Sequence, residues 1–403
     1  MERFEHWKKN ITLFLTGQII SLFGSSLVQY AILWHITLET QSGVMMTIYI
    51  ICGFLPTFFL SPFAGVWADR YNRKRIIILA DAFIAFATLV LAILFMMGYE
   101  YIWLLFVIAA VRAFGSGLHA PAISAVIPQL VPEDQLTRVN GINTSVQSII
   151  MLISPIVSAA LLGWFELQYI FFIDVVTAIF AIAVLVFLVD VPTHQKALEL
   201  QTTGYLEDLK EGFIYIRNHS YLKYFFVFSV FFFFMISPLA FLTPLQTVRS
   251  YGDDIWRLSA LEITFSSGMI LGGFIMASWG GFKNKIHSMA FSTWMVGLGT
   301  FALGLMPPFW MYLSLMAFLG ITIPIFNTPA AVILQTKVEQ AYMGRVFGVL
   351  GMIHSSMMPL GMLVFGPLSD SVSIETLLLV TGVFLFAMGF FLIGNKAMVK
   401  AGE

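Results

Sequence analysis

The 403 residues are 59% hydrophobic and only 11% charged, with a mean hydropathy of +0.88. No soluble domain of this length sustains that balance, because it could not cover its surface with polar groups. A soluble enzyme is thereby excluded, and a formal net charge of −1 offers no basic surface to nucleic acid. Cys52 is the single cysteine and sits in an apolar run, so the chain has neither an intrachain disulfide nor a cysteine metal centre, and no metal or cofactor is expected.

Residues 1–10 are basic and precede a run from 11 to 38, too long for the apolar core of a signal peptide and without a small-residue cleavage site, so it reads as a first membrane span. Taking ~20 apolar residues per span, five more follow at roughly 43–67, 76–97, 101–127, 139–164 and 168–189. A polar segment, 190–220, comes next, with an amphipathic piece from Tyr205 to Ile216 suited to lie on the membrane surface. Six further spans are predicted at roughly 221–248, 258–279, 286–306, 309–334, 346–369 and 374–394. The Phe231 to Phe234 run covers every face of a helical turn, so it must touch both lipid and protein.

The cations test this partition. With twelve spans, eighteen of the 21 Lys and Arg residues fall on the face that holds both termini and the 190–220 segment. Only Arg249 and Arg257 fall on the other, and Arg112 is left inside a span. That asymmetry marks the rich face as cytoplasmic. An internal echo supports two halves: the stretch from Pro128 resembles that from Gln335, aligning Arg138 with Arg345 and Gly141 with Gly348 at an offset of 207 residues. The expected architecture is an all-α integral membrane protein of twelve helices in two pseudo-symmetric six-helix halves, with boundaries 1–190, 191–220 for the linker, and 221–403.

The turn between the second and third spans carries the most specific signal. From Gly65 to Arg75 it reads G-V-W-A-D-R-Y-N-R-K-R. Gly65, Asp69, Arg70, Arg73 and Lys74 match the G-x-x-x-D-R-x-G-R-[KR] loop of the major facilitator superfamily, which the chain resembles over essentially its whole length. Asn72 stands where that pattern has a second glycine, and Asn tolerates the left-handed backbone a glycine would adopt. The resemblance implies that this motif controls conformational change, with Asp69 latching the cytoplasmic ends of the first half.

Inside the spans, Arg112 lies near the bilayer midplane, where an unpaired charge costs at least ~3 kcal/mol and so must face a carboxylate or a wet cavity. The following A-F-G-S-G-L-H-A-P, with Gly115, Gly117 and Pro121, resembles the Arg-and-glycine pattern on the fourth helix of proton antiporters in that superfamily, with the spacing off by one at Ser116. Three acids are candidates to carry a proton. Asp174 has no cation near it in sequence; Asp81 is within reach of the Arg73 to Arg75 cluster and suits a structural pair; Glu262 lies close to an outer helix end. The neutral polar residues Gln18, Gln29, Asn143, Gln147, Asn327 and His354 are scattered through the spans, each a candidate cavity lining or a tie between helices.

Within the superfamily the chain looks most like the macrolide-efflux branch. The stretches that carry this are T-G-Q at Thr16 to Gln18, F-L-P at Phe54, V-P-E-x-Q-L-T at Val131, S-P-I-V at Ser154, I-D-V at Ile173 and Y-M-G-R-V-F at Tyr342. That resemblance implies a monomeric, multi-pass plasma-membrane exporter of hydrophobic antibacterials driven by proton entry, whose partners are small apolar substrates, protons and lipid. Relatives of the same kind export siderophores, lipids or metabolites. A channel would need a filter loop and a membrane enzyme a clustered nucleophile or metal-spaced histidines; neither motif is present.

Overall fold

The computed structural model describes residues 6–132, 135–191 and 205–403, and within these the side chains at 61, 62, 65, 66, 68–70, 137, 205–210, 340, 341 and 344 are outside the description. Among the described residues the chain is helical without strands: α1 (Trp7–Thr40), α2 (Gly43–Arg70), α3 (Arg73–Met96), α4 (Ile102–Leu130), α5 (Leu136–Trp164), α6 (Leu167–Phe187), α7 (Tyr205–Asn218), α8 (Ser220–Met235), α9 (Ser237–Tyr251), α10 (Ile255–Trp279), α11 (Lys285–Gly304), α12 (Phe309–Lys337), α13 (Gln340–Leu368), α14 (Ile374–Gly394) and α15 (Lys396–Ala401). Helices are what hydrocarbon demands of an isolated segment, since each backbone donor must find its acceptor within the same span.

The seventh span is broken into α8 and α9. Pro238 follows the break at Ile236, its ring lacking the N–H that an unbroken helix would use. With this pair taken as one, eleven helices of the described chain are long and apolar enough to cross a membrane. The twelfth, α11, is a continuous helix made less apolar by Ser288, Ser292, Thr293 and Thr300, all fully buried, with Ser292 donating to the carbonyl of Thr322 on α12 at 2.7 Å. The twelve-helix arrangement in two halves is that expected.

The chain divides into two compact units: unit 1 holds Met1–Glu39 and Ile48–Thr202, and unit 2 holds Thr40–Thr47 and Thr203–Glu403. The first turn of α2 therefore belongs to unit 2. In unit 1 the core near the basic turn joins Ile11, Phe14, Ile77, Val126, Ile127 and Leu185. Asn72 is not left-handed here: at φ −64° it is extended and accepts from the amide of Arg75 at 3.2 Å, so it serves as the N-cap of α3. Arg73 donates to the carbonyl of Ala125 on α4 at 2.7 Å and Lys74 to that of Val189 beyond α6 at 2.8 Å. The basic turn thus ties the ends of three helices together.

In unit 2, α10 crosses α12 so closely that a methyl group on Gly268 or Gly320 would strike the carbonyls of Ala317 or Phe265. The linker helix α7 docks on α13: Tyr215 stacks on Tyr342 with ring centroids 4.2 Å apart, and Glu211 meets Arg345 at 2.9 Å. The phenylalanine run divides as its spacing requires. Phe231 is exposed, Phe232 is buried against Phe326, Phe233 meets the ring of His354 edge-on and Phe234 that of Phe365.

Candidate functional site

Unit 1 carries two polar layers stacked along α3 and α4. In the deeper one, Arg112 on α4 forms an ion pair through Nη1 with Oδ2 of Asp174 on α6, and both are buried, Asp174 completely. Ser25 of α1 donates to Oδ1 of Asp174 at 2.7 Å, and the Thr88 hydroxyl of α3 lies 3.1 Å from Oδ2. A second guanidinium nitrogen reaches the Ser25 carbonyl at 3.1 Å. Asp174 is ringed by donors from three helices, and its two oxygens have the acceptor capacity to take them all. Arg112 is tied to the Ser25 backbone and to the acid at once, and Asp174 is the carboxylate that a charge at this depth requires.

The second layer lies toward the basic turn. His119 and Arg112 are seven residues apart on α4, as are Asp81 and Thr88 on α3. Seven residues are two turns, roughly 10 Å. Here Nε2 of His119 is 3.1 Å from Oδ1 of Asp81, and the Ser21 hydroxyl of α1 is 3.4 Å from the same oxygen. Asp81 does not pair with the Arg73 to Arg75 cluster as its sequence position suggested: it meets His119 of α4 and Ser21 of α1, while Arg73 and Lys74 are taken by the carbonyls of Ala125 and Val189. Gln18, one turn from Ser21 on α1, is buried in the same unit, and its Oε1 and the Oδ2 of Asp81 lack a hydrogen-bond partner among the described residues.

The remaining candidates are dispersed. Glu262 is half-buried on α10 with no partner among the described residues. Gln147 donates to Asn143 at 3.5 Å on α5, where Gln147 is exposed; Gln29 on α1 and Asn327 on α12 are exposed, and His354 on α13 is exposed apart from its packing on Phe233. The side chains of Gly65, Asp69 and Arg70 lie outside the described ones. Sequence reading missed His119, Thr88, Ser21 and Ser25. The signal was available in the seven-residue spacing: Arg112 with His119 and Asp81 with Thr88 put two polar pairs on matching faces of adjacent antiparallel helices.

Unit 2 holds an ionic hub. Asp370, between α13 and α14, accepts from the amides of Gly43 at 2.8 Å and Val44 at 3.0 Å and from the Ser42 hydroxyl at 2.8 Å, capping α2. Arg249 binds Asp370 at 2.6 Å and also holds the carbonyl of Gln41, whose φ is 46°. Partial burial pushes the Asp370 carboxyl up, but these hydrogen bonds outweigh it and hold it below the ordinary carboxylate range.

The major facilitator superfamily model matches residues 14–362. The chain belongs to the major facilitator superfamily. Its relatives in that superfamily include macrolide efflux protein A of Streptococcus pyogenes, 30% identical over 390 residues and 96% of each chain. Macrolide efflux protein A of Enterococcus faecalis is 32% identical over 324 residues, 80% of this chain and 100% of that one. Among solved structures, a bacterial homologue of the lysosomal transporter Spinster superposes with a TM-score of 0.72 at 14% identity, covering 98% of both chains, which bears on the fold alone. Family and relatives are transporters of the membrane, and the apolar helices agree.

Proposed function

We propose that the chain is a secondary active exporter of hydrophobic, amphipathic antibacterials of the macrolide kind, exchanged for protons by alternating access. It works as a monomer in the plasma membrane with both termini and the 191–220 linker cytoplasmic. The observation that carries the coupling is the buried pair of Arg112 and Asp174. A proton arriving on Asp174 removes the charge that Arg112 needs, and a buried cation left alone is worth several kcal/mol, so protonated and ionised states favour different arrangements of α1, α3, α4 and α6. Glu262, an acid without a partner in a span, is the further proton-carrying candidate. Gln29, Asn143, Gln147, Asn327 and His354 line the substrate path, and Gly65, Asp69, Arg70, Arg73 and Lys74 gate its cytoplasmic end.

The substrate class is supported by the 30–32% identity to macrolide efflux proteins. A second reading, export of a siderophore, draws on a staphyloferrin A transporter of Staphylococcus aureus, 20% identical over 397 residues. Growth of a sensitive host with and without the gene across macrolides and siderophores separates the two. In inverted vesicles, an imposed pH gradient is expected to drive uptake of labelled erythromycin by the wild-type chain and not by Asp174→Asn. Full gradient-driven uptake by Asp174→Asn would remove this carboxylate from the coupling.

A further inference from the structure

We propose that Asp81 and His119 form a second proton-exchange station in unit 1, on the basic-turn side of Arg112 and Asp174, in which carboxylate and imidazole share one titrating proton. The assignment of a transport role to this station rests on the proton-antiport reading; the station itself does not.

Three observations converge. The first is geometry: Nε2 of His119 and Oδ1 of Asp81 are 3.1 Å apart, with both residues largely withdrawn from solvent, which is within reach for proton transfer once the ring turns, since Nε2 is not aligned in a hydrogen bond. The second is a shortage of donors. The Oδ2 of Asp81 and the Oε1 of Gln18 are buried acceptors without partners, and a buried acceptor left unmade costs about 1–3 kcal/mol. A proton on the carboxyl, or a water entering the layer, supplies what is lacking.

The third observation comes from the other half. The 207-residue offset that aligns Arg138 with Arg345 carries the bounds of α4 onto those of α12 and the bounds of α6 onto those of α14. It takes His119 to Phe326 and Ser21 to Phe228, and these two rings stack at 6.0 Å in unit 2. It takes Asp81 to Ser288, which is fully buried. Equivalent helices in the same fold therefore pack at this depth without any charge. Packing does not require the polar pair, and a buried ionisable pair is more often neutral or costly than stabilising relative to apolar packing.

The proton balance is simple. With imidazole neutral and Asp81 ionised the pair carries one negative charge; one proton taken from water brings it to zero. That proton is held either as imidazolium beside carboxylate or, after the Nε2–H bond breaks and the Oδ1–H bond forms, as imidazole beside carboxylic acid. Imidazole is the side chain whose ordinary titration falls in the physiological range. Asp81 from α3 is the titratable group in contact with His119; the next charges along α4 are Arg112 with Asp174, two turns one way, and Arg73 of α3, held at Ala125 the other way. From α1 come only Gln18 and Ser21, and from α2 Thr57 and Leu60 meet this stretch of α4 at Ala113 and Gly117.

The test uses the full chain, histidine-labelled with nitrogen-15 in detergent micelles, with His119 assigned by its loss in His119→Gln and the Asp81 carboxyl band by infrared difference against Asp81→Asn. In the wild-type chain the imidazole signal and the carboxyl band are expected to change together, with one midpoint between pH 5 and 8; Asp81→Asn should move the His119 midpoint by at least half a pH unit. Both groups holding one protonation state across that range, or a His119 curve unmoved in Asp81→Asn, overturns the proposal. In proteoliposomes, erythromycin transport by the wild-type chain is expected to vary at least fivefold between pH 6 and 8, and by less than twofold in His119→Gln. A uniform loss of rate with the profile intact would make the pair a helix tie and overturn the station's transport role. If wild-type transport ignores the pH gradient, the antiport reading falls while the titration still decides whether the pair shares a proton.

Discussion

Replacing Arg112 by Leu and Asp174 by Thr transplants into unit 1 what the 207-residue offset places in unit 2, where Leu319 and Thr381 are both buried to 1% exposure. Asp174→Thr alone leaves a guanidinium that is 8% exposed with only the Ser25 carbonyl and the Thr88 hydroxyl to compensate it. Breaking a buried pair from one side costs ~3–5 kcal/mol. Arg112→Leu is expected at the lower end of that range, because Asp174 keeps the Ser25 and Thr88 hydroxyls. The double variant removes both charges and fills the space with side chains that the same fold accommodates elsewhere. Its expected cost is within about 2 kcal/mol of the wild-type chain, far below the ~6–10 kcal/mol that adding the singles would give. Reversible unfolding in mixed micelles, titrated with sodium dodecyl sulfate, measures all four corners of the cycle. Singles that add to within ~0.5 kcal/mol would refute the reasoning, since groups in direct contact must couple. The double variant should fold and still fail to transport against a pH gradient.

Gly366→Ala should destabilise unit 2 by about 1–3 kcal/mol in the same assay, because the added methyl would strike the Thr47 hydroxyl at the close approach of α2 to α13; Thr47→Ala in the same chain should restore part of it. Asp370→Ala should raise amide hydrogen exchange across residues 41–47 by about tenfold, since the Gly43 and Val44 amides lose their acceptor. In the wild-type chain the depressed carboxyl of Asp370 means this protection is fully present above the ordinary carboxylate range, unchanged between pH 8 and 5, and lost only as pH falls through its lower folded value. Tyr215→Ala should free α7 from α13, seen as faster exchange over 205–218, because it removes both the stack on Tyr342 and the hydroxyl that accepts from the Glu339 amide at 3.2 Å. An unchanged exchange rate there would mean that the linker helix is held by something else.

The twelve spans were legible because bilayer thickness sets their length and leaves the chain little choice. What hydropathy cannot show is a break that keeps the composition apolar, and the division of the seventh span at Ile236 was announced only by Pro238. Asn72 was read through a family glycine as a left-handed residue; its own chemistry, a short side-chain acceptor three residues before a free amide, pointed to the N-cap it forms. Arg112 and Asp174 were legible as charges that must be explained, and each explains the other. Asp81 was assigned to the nearest cations in sequence. Its actual partner is 38 positions away on the next helix, and only the packing of α3 on α4 brings them together.

The offset between the halves gives the charges of unit 1 a meaning that their burial alone does not. At the positions equivalent to Ser21, Ser25 and His119, unit 2 carries Phe228, Phe232 and Phe326, stacked with centroids 5.0 to 6.0 Å apart. At those equivalent to Arg112 and Asp174 it carries Leu319 and Thr381. One backbone plan is thus filled in two chemistries, ionisable on one side and aromatic on the other. Both fillings yield closely packed helices and the ionisable one is the more expensive in hydrocarbon, so stability does not account for it. On the proposed exporter reading, its presence in a single half assigns the paired proton sites to unit 1, while Phe233 and His354 of unit 2 are the groups to test for cargo contact. The two chemistries can then be separated by mutation. Substitutions at Phe233 or His354, which meet edge-on in unit 2, should alter which compounds are exported and leave the pH profile unchanged. Substitutions at Asp81, His119 or Asp174 should alter the profile for every compound alike. A Phe233→Ala chain with an altered pH profile and an unaltered compound range would contradict that division.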